Sequence, residues 1–169
     1  SGVLVVAKTE SFRNYFIQKM QERKVTKKYI AISVGETIGS FEINEPIGRD
    51  PKNRTKMSVR HDGKESISFI KLINKHNGYA LLDVLIETGR THQIRVHLAS
   101  KNLPIIGDST YNSRKKIAKN SSPELVKCIR EFPRQALHAA HISFCHHKSK
   151  EIFEWSVEMP HDMKKLEKA

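Results

Sequence analysis

The chain has 169 residues, 38% of them hydrophobic, which suits one domain with a core of its own and leaves no room for a low-complexity reading. Its 30 Lys plus Arg against 18 Asp plus Glu give a formal net charge of +12, a balance that points to a polyanionic partner such as nucleic acid. Two cysteines, Cys128 and Cys145, exclude a disulfide framework and a four-ligand zinc site, and fit a reduced, cytoplasmic setting.

The first apolar run, residues 3–7, is β-branched and predicts a buried strand, far too short to cross a membrane. No secretory signal is visible, and the first residue is Ser1, so the chain is not expected to start at a natural translation start. Thr9 or Ser11 can cap a helix in which Phe12, Phe16 and Met20 recur at i, i+4 and i+8, with Ile17 widening the stripe and the end near Lys24. Residues 28–34 alternate, with Ile30, Ile32 and Val34 on one face and Tyr29, Ala31 and Ser33 on the other, and Gly35 ends the strand. Residues 46–63 read as loop and carry Arg49, Lys52, Arg54, Lys56 and Arg60. A hairpin follows, with strands at 66–74 and 79–87 around Asn77-Gly78, a pair that supplies the positive φ angles of a tight turn. Thr91 can cap a short helix that puts Ile94 and Leu98 on the core and ends near Ser100. Residues 113–123 read as an exposed basic insertion, and two more strands fall at 136–144 and 151–157, with Phe153, Trp155 and Val157 on one face. At least six strands and three helices, joined by hairpins without a repeated βαβ unit, predict a single α+β domain over 1–169 with a mixed, largely antiparallel central sheet flanked by helices and loops.

Residues 87–98 hold the densest set of chemical groups. A strand turns at Gly89 and delivers Arg90, Thr91 and His92 to a helix N-terminus, where free N–H groups and the helix dipole favour an anion. Arg90 can add a bidentate grip on phosphate or carboxylate. Arg95, one turn further in, needs an acidic partner, and on spacing alone a structural carboxylate serves as well as a catalytic one, with His92 and His97 as surface residues.

The run Gly89-Arg90-Thr91-His92-Gln93-Ile94-Arg95-Val96-His97 resembles the signature of RluA-type RNA pseudouridine synthases. Ser1-Gly2-Val3-Leu4-Val5-Val6-Ala7-Lys8 resembles the tail of the family's first motif, Lys28-Tyr29-Ile30-Ala31 its second, and Pro46-Ile47-Gly48-Arg49 its loop. Pro104-Ile105-Ile106-Gly107-Asp108 resembles the segment after the signature helix and Leu137-His138-Ala139 the late strand, all in family order. The resemblance implies the pseudouridine synthase catalytic fold and the isomerisation of uridine to pseudouridine in RNA, with ribosomal large-subunit RNA the first expectation and transfer RNA the second. The target base is flipped out of its stack, with no metal and no diffusible cofactor. It implies that Tyr29 packs on the flipped uracil and helps remove the C5 proton, and that Arg95 holds the nucleophilic aspartate ionised. Arg90 and His92 are then expected on RNA phosphate or sugar, with Arg90 as the other candidate for the aspartate's partner. Arg49, Lys52 and Arg54 are expected to track phosphate unless they are merely solvated loop charges, as are the basic residues 114–119.

The sequence departs from the family at one point. The family's catalytic aspartate stands about four residues before the Ser-Gly dipeptide, and this chain begins at that dipeptide. Asp50, Asp62, Asp83 and Asp108 lack the expected context, so the fragment is expected to bind RNA as a monomer, off the membrane, without turnover. A non-catalytic RNA-binding module is the alternative. A metal-dependent hydrolase built on His138 and His141 is disfavoured, since on a regular strand their spacing sends them to opposite faces.

Overall fold

The computed structural model describes residues 1–119 and 121–169. In chain order the elements are α1 (Glu10–Gln21), β1 (Val25–Val34), β2 (Ser40–Asn44), β3 (Ile47–Arg49), β4 (Met57–Val59), β5 (Ile67–His76), β6 (Tyr79–Ile86), α2 (Gln93–Ser100), α3 (Pro123–Glu131), β7 (Leu137–Cys145), β8 (Ile152–Ser156) and α4 (His161–Lys168). Six strands form one sheet in the order β2-β5-β6-β1-β7-β8, and β3 and β4 form a separate two-stranded hairpin. Every pairing between these strands is antiparallel, and a parallel bridge joins Gly2 to Ala139. The α+β class and the largely antiparallel sheet thus stand as the alternation predicted.

The centre of the sheet is its most apolar part. On β1, Tyr29, Ala31 and Ser33 face across to Val84, Leu82 and Ala80 of β6, and Ile70 of β5 continues the row opposite Val84. Ala31, Leu82 and Val84 are fully buried, each large side chain there contributing about 1.5–3 kcal/mol. Helix α2 lies on this face, where Gln93 and His97 reach Ser68 of β5. Helix α1 covers the same face further along, its Phe12 and Phe16 rings 6.0 and 5.0 Å from the Phe144 ring of β7. The hydroxyl of Thr9 caps α1 by accepting from the Phe12 amide. On the opposite face, Ile32 and Leu81 meet Leu125 of α3 and Leu166 of α4 around a small apolar cavity.

Several local expectations change. Residues 3–7 form no strand; Leu4 and Val6 are 82% and 72% exposed, and only the start of the segment is tied down, by the Val3 amide donating to the Ala139 carbonyl. Residues 46–63 are not simply loop but fold into β3 and β4, and β2 precedes them. Helix α3 had a signal in Ser122-Pro123: the Ser122 hydroxyl accepts from the Leu125 amide, with proline in the first turn and Leu125 and Ile129 buried four apart. The basic stretch 113–123 is exposed at 113–116 and at Lys119, half-buried at Ile117 and Ala118, and enters α3 at Pro123; Asn120 lies outside the described residues.

A bulge in β7 bears on the site. Tyr29 pairs with Ala139 but Lys28 pairs with His141, so Ala140 is an extra residue beside Tyr29. The extra residue puts His138, opposite Ile30, and His141, opposite Lys28, on the same face, where strict alternation had separated them. The two ring nitrogens of His138 are engaged by the Ser1 hydroxyl and the Val157 carbonyl. Among the described residues no helix is long and apolar enough to cross a membrane.

Candidate functional site

The turn from β6 into α2 is held by a buried polar chain. Thr88 accepts the Ile67 amide (2.9 Å) and donates to Gln93 Oε1 (2.7 Å), which also accepts the Arg90 amide (3.0 Å). Gln93 Nε2 donates to the Ile67 carbonyl and to Ser68 Oγ, both at 2.9 Å. Ser68 Oγ stands 3.0 Å from His97 Nδ1, and His97 Nε2 donates to the Glu45 carbonyl at 2.9 Å. A carbonyl only accepts, so Nε2 carries the proton and Nδ1 accepts from Ser68. That neutral tautomer agrees with burial, which pushes the His97 imidazole below its ordinary range. Thr88, Ser68, Gln93 and His97 are all buried, so His97 is no surface residue. Thr91 is exposed and does not cap α2; the N-cap is His92 in a left-handed conformation, φ +58°, with no side-chain cap. The Gln93 amide of the turn, not a threonine hydroxyl, organises this helix start.

Arg95 projects from α2 onto Asp108. Its Nε and Nη2 donate to the two carboxylate oxygens at 2.7 and 2.8 Å, and Asp108 also accepts the Thr110 and Tyr111 amides. Burial alone would raise the Asp108 carboxyl, and Arg95 with the Tyr111 and Thr110 amides more than offsets it, leaving it below the usual carboxylate range. The same guanidinium lies 4.9 Å from the Tyr111 ring centre. The Tyr111 hydroxyl accepts the Met57 amide (2.9 Å) and is hydrogen-bonded with His92 Nδ1 (3.0 Å), and burial followed by the Arg95 charge depresses the His92 imidazole. Arg95 therefore has a structural carboxylate as its ion partner, with Nη1 free of it.

The β3–β4 hairpin faces this turn across an open cleft of about 750 Å³. Arg49, Arg54 and Lys64 line one side, Arg90 and Thr91 the other, and Asp62 is the acidic member of the lining. Asp62 is itself taken by Arg60, at 2.6 Å. Arg90 donates through Nε to the Glu65 carbonyl and has no carboxylate partner among the described residues. The lining is strongly cationic and suits a phosphodiester chain.

The predicted residues thus separate. Arg49, Arg54 and Arg90 converge on the cleft; Lys52 is exposed on the hairpin and does not line it. Arg95 and His92 meet behind the turn, at Tyr111. Tyr29 lies half-buried on β1 beside the bulge, its phenol pushed up by burial. Sequence reasoning missed Gln93 as the organiser of the turn and Tyr111 as the link between α2 and the hairpin; Tyr111 follows Asp108 by three residues, and that spacing was its one signal. It also missed Lys27, buried on β1 with Nζ 3.5 and 3.4 Å from the carbonyls of Glu87 and Thr88. Burial, and then the charge of Arg90, lower its pKa to about 8.

Comparison with known proteins bears on this arrangement. The sequence model of a family described as RNA pseudouridylate synthase matches residues 1–100. The ribosomal large subunit pseudouridine synthase D of Pasteurella multocida is 37% identical over 169 residues, covering 100% of this chain and 52% of that protein. The protein of the same name from Escherichia coli is 36% identical over 166 residues, 98% of this chain and 51% of that one. The chain therefore spans about half the length of these relatives. Two solved structures share the fold: human RNA pseudouridylate synthase domain containing 4, with a TM-score of 0.75, 21% identity and coverage of 98% of this chain and 69% of that one, and human RNA pseudouridylate synthase domain containing 1, with 0.70, 23%, 90% and 62%. With the signature turn, its buried clamp and the cationic cleft in place, the family match over residues 1–100 carries the assignment: the chain belongs to the RNA pseudouridylate synthase family.

Proposed function

We propose that residues 1–169 act as a single domain that binds RNA in the cleft between the β3–β4 hairpin and the Gly89–Thr91 turn, as part of an enzyme that isomerises uridine to pseudouridine. Ribosomal large-subunit RNA is the first substrate, as the names of the relatives suggest, and transfer RNA the second. The observation that carries the reading is the convergence of Arg49, Arg54 and Arg90 on one cleft beside the family's signature turn. In this reading the enzyme works as a cytoplasmic monomer without metal or diffusible cofactor. Arg49, Arg54 and Arg90 hold phosphates, Lys52 adds charge at the rim, and His92 supports the wall through Tyr111. Tyr29 packs against the flipped uracil and helps remove the proton at C5.

The attacking carboxylate is then supplied by the aspartate that the family carries ahead of the Ser1-Gly2 dipeptide. What supports this is the engagement of four of the chain's five aspartates, Asp108 with Arg95, Asp62 with Arg60, Asp162 with Arg134, and Asp50 with the Lys52 and Asn53 amides, while the fifth, Asp83, lies on β6 opposite Ile30, on the sheet face away from Tyr29. Arg95 retains Nη1 beyond its two contacts with Asp108, and that nitrogen can hold a second carboxylate ionised. Residues 1–169 alone then bind RNA without turning it over.

Release of tritium from C5-labelled uridine in RNA tests the proposal. A chain extended upstream through the family aspartate is expected to release tritium, and residues 1–169 alone are not. In the extended chain Arg95→Ala abolishes release and Tyr29→Phe strongly reduces it. Turnover by residues 1–169 alone refutes the account of the nucleophile, and full activity in the extended Arg95→Ala variant removes Arg95 from the mechanism.

A further inference from the structure

Lys27 is 6% exposed, and among the described residues no carboxylate pairs with it. An ammonium buried without a counter-ion is costly, and an apolar side chain would fill the same slot without that cost. The site of the burial is informative. The ammonium lies beneath the signature turn, 3.5 and 3.4 Å from the Glu87 and Thr88 carbonyls and against Gly89, with the Met20 methyl of α1 alongside. These carbonyls immediately precede the residues that carry Arg90 into the cleft. The Glu87 carboxylate, carried by one of the two residues whose carbonyls the ammonium meets, is drawn off by Arg23, which also takes Glu65. Ile142 of β7, opposite Lys27 in the sheet, is uncharged, and Tyr29 stands two residues along on the same face. The charged group left facing Lys27 is Arg90, a second cation.

We propose that Lys27 is a positioning residue for the RNA-binding turn: its ammonium grips the Glu87 and Thr88 carbonyls so that Arg90 is presented to the cleft, and its uncompensated charge adds to the attraction for the RNA phosphate that Arg90 contacts. The inference rests on the reading of the cleft as the RNA site. It explains why a buried cation lies against Gly89, next to Arg90 in sequence, with no carboxylate paired to either among the described residues: the anion arrives with the RNA. It also gives the interaction a pH dependence near neutrality. The Lys27 ammonium, with its pKa lowered to about 8, is mostly charged at pH 7 and mostly neutral at pH 9. Arginines do not titrate there, burial holds the His92 imidazole below its ordinary range, and the Ser1 ammonium, also lowered, is common to wild type and variants.

The test is binding of residues 1–169 to a fluorescein-labelled RNA stem-loop with uridines in its loop, followed by anisotropy at fixed low salt from about pH 7 to about pH 9. Wild-type affinity is expected to fall about fivefold across that range. Lys27→Met binds about fivefold more weakly at neutral pH and shows a flat profile, while its thermal midpoint is no lower than that of the wild type. Lys27→Arg keeps the neutral-pH affinity and holds it at the alkaline end. A purely structural lysine gives another result: lost affinity tracks a lowered midpoint, or Lys27→Met binds like the wild type, and either outcome overturns the proposal. Arg90→Ala in the same assay separates the two levels of inference. If Arg90→Ala weakens binding and Lys27→Met does not, Lys27 alone is misassigned; if neither does, the cleft is not the RNA site and both fall.

Discussion

The two walls of the cationic cleft are built in opposite ways. The wall that carries Arg90 hangs on non-local, buried bonds: Thr88, Gln93, Ser68 and His97 tie the turn to β5 and to Glu45, and every polar group in that chain has its partner. The wall that carries Arg49 and Arg54 is made of neighbours in sequence. Asp50 accepts the Lys52 and Asn53 amides, Asn53 accepts the Thr55 amide and hydroxyl, and Arg49 donates to the Arg54 carbonyl, all at the surface. Among the described residues, only the bonds from Lys56 to the Thr110 carbonyl and from Met57 to the Tyr111 hydroxyl tether this hairpin to the segment that also holds Arg95. One wall is therefore fixed by the fold, and the other is a local motif that can adjust on its own. On the proposed reading of the cleft as the RNA site, that division lets one side set the register of the chain and the other follow its shape.

The joint between the walls is the place where a single change does most harm. Asp108 is fully buried and Arg95 is 13% exposed at its side chain, so Asp108→Asn leaves a nearly buried guanidinium without its counter-ion. The loss expected is about 3 kcal/mol of unfolding free energy by urea titration at neutral pH. Because the folded state holds this carboxyl below its usual range, the stability it contributes is present above the unfolded value of about 3.9 and is lost as pH falls through the folded value. Once the pH has fallen below the folded value the gap between wild type and variant should close; a gap unchanged on acidification would mean that the charge of Asp108 is not what matters. Next in size is Gln93→Ala, which strands the Arg90 amide and removes the partners of Thr88 and Ser68. About 2 kcal/mol is expected, with faster amide exchange at Ile67 and Arg90 and weaker RNA binding. A loss below about 0.5 kcal/mol would show that the fixed wall does not depend on this clamp.

How far the sequence reached follows the same division. The alternation of β1 and the Asn77-Gly78 turn were readable because one residue pattern dictates them, and the turn has the positive φ angles that pair supplies, +45° and +84°. Arg90 and Arg95 were readable as functional candidates from their place at a helix start. The partner of Arg95 was not, because Asp108 comes to it from beyond the end of α2 and only the folded chain brings the two together. Gln93 was missed for a related reason: an amide that clamps four groups looks in sequence like any polar residue. The β3–β4 hairpin was hidden by its charges. With three residues to each strand it has too few apolar positions to show alternation, and its turns are set by Asp and Asn side chains. The opposite facing of the two histidines failed because one bulged residue, Ala140, reverses the strand's phase.

The smallest effect is also the sharpest test of the local wall. Asp50 does two separable things: its Oδ1 orders the Lys52 and Asn53 amides, and its negative charge sits in the same surface recess as Arg49, Arg54 and Arg60. Asp50→Asn keeps an acceptor and removes the charge; Asp50→Ala removes both. If the hairpin is a self-contained motif, neither variant shifts global stability by more than about 0.5 kcal/mol, since the sheet and not the hairpin sets the cost of unfolding. Exchange of the Lys52 and Asn53 amides should nevertheless quicken in Asp50→Ala and stay near the wild-type rate in Asp50→Asn. RNA affinity then reads the two roles against each other. Losing a negative charge beside three arginines should strengthen binding about twofold in Asp50→Asn, and in Asp50→Ala the loss of order should cancel that gain. Equal affinity in the two variants would mean that the local turn contributes charge alone, and that the adjustable wall needs no shape of its own until the RNA arrives.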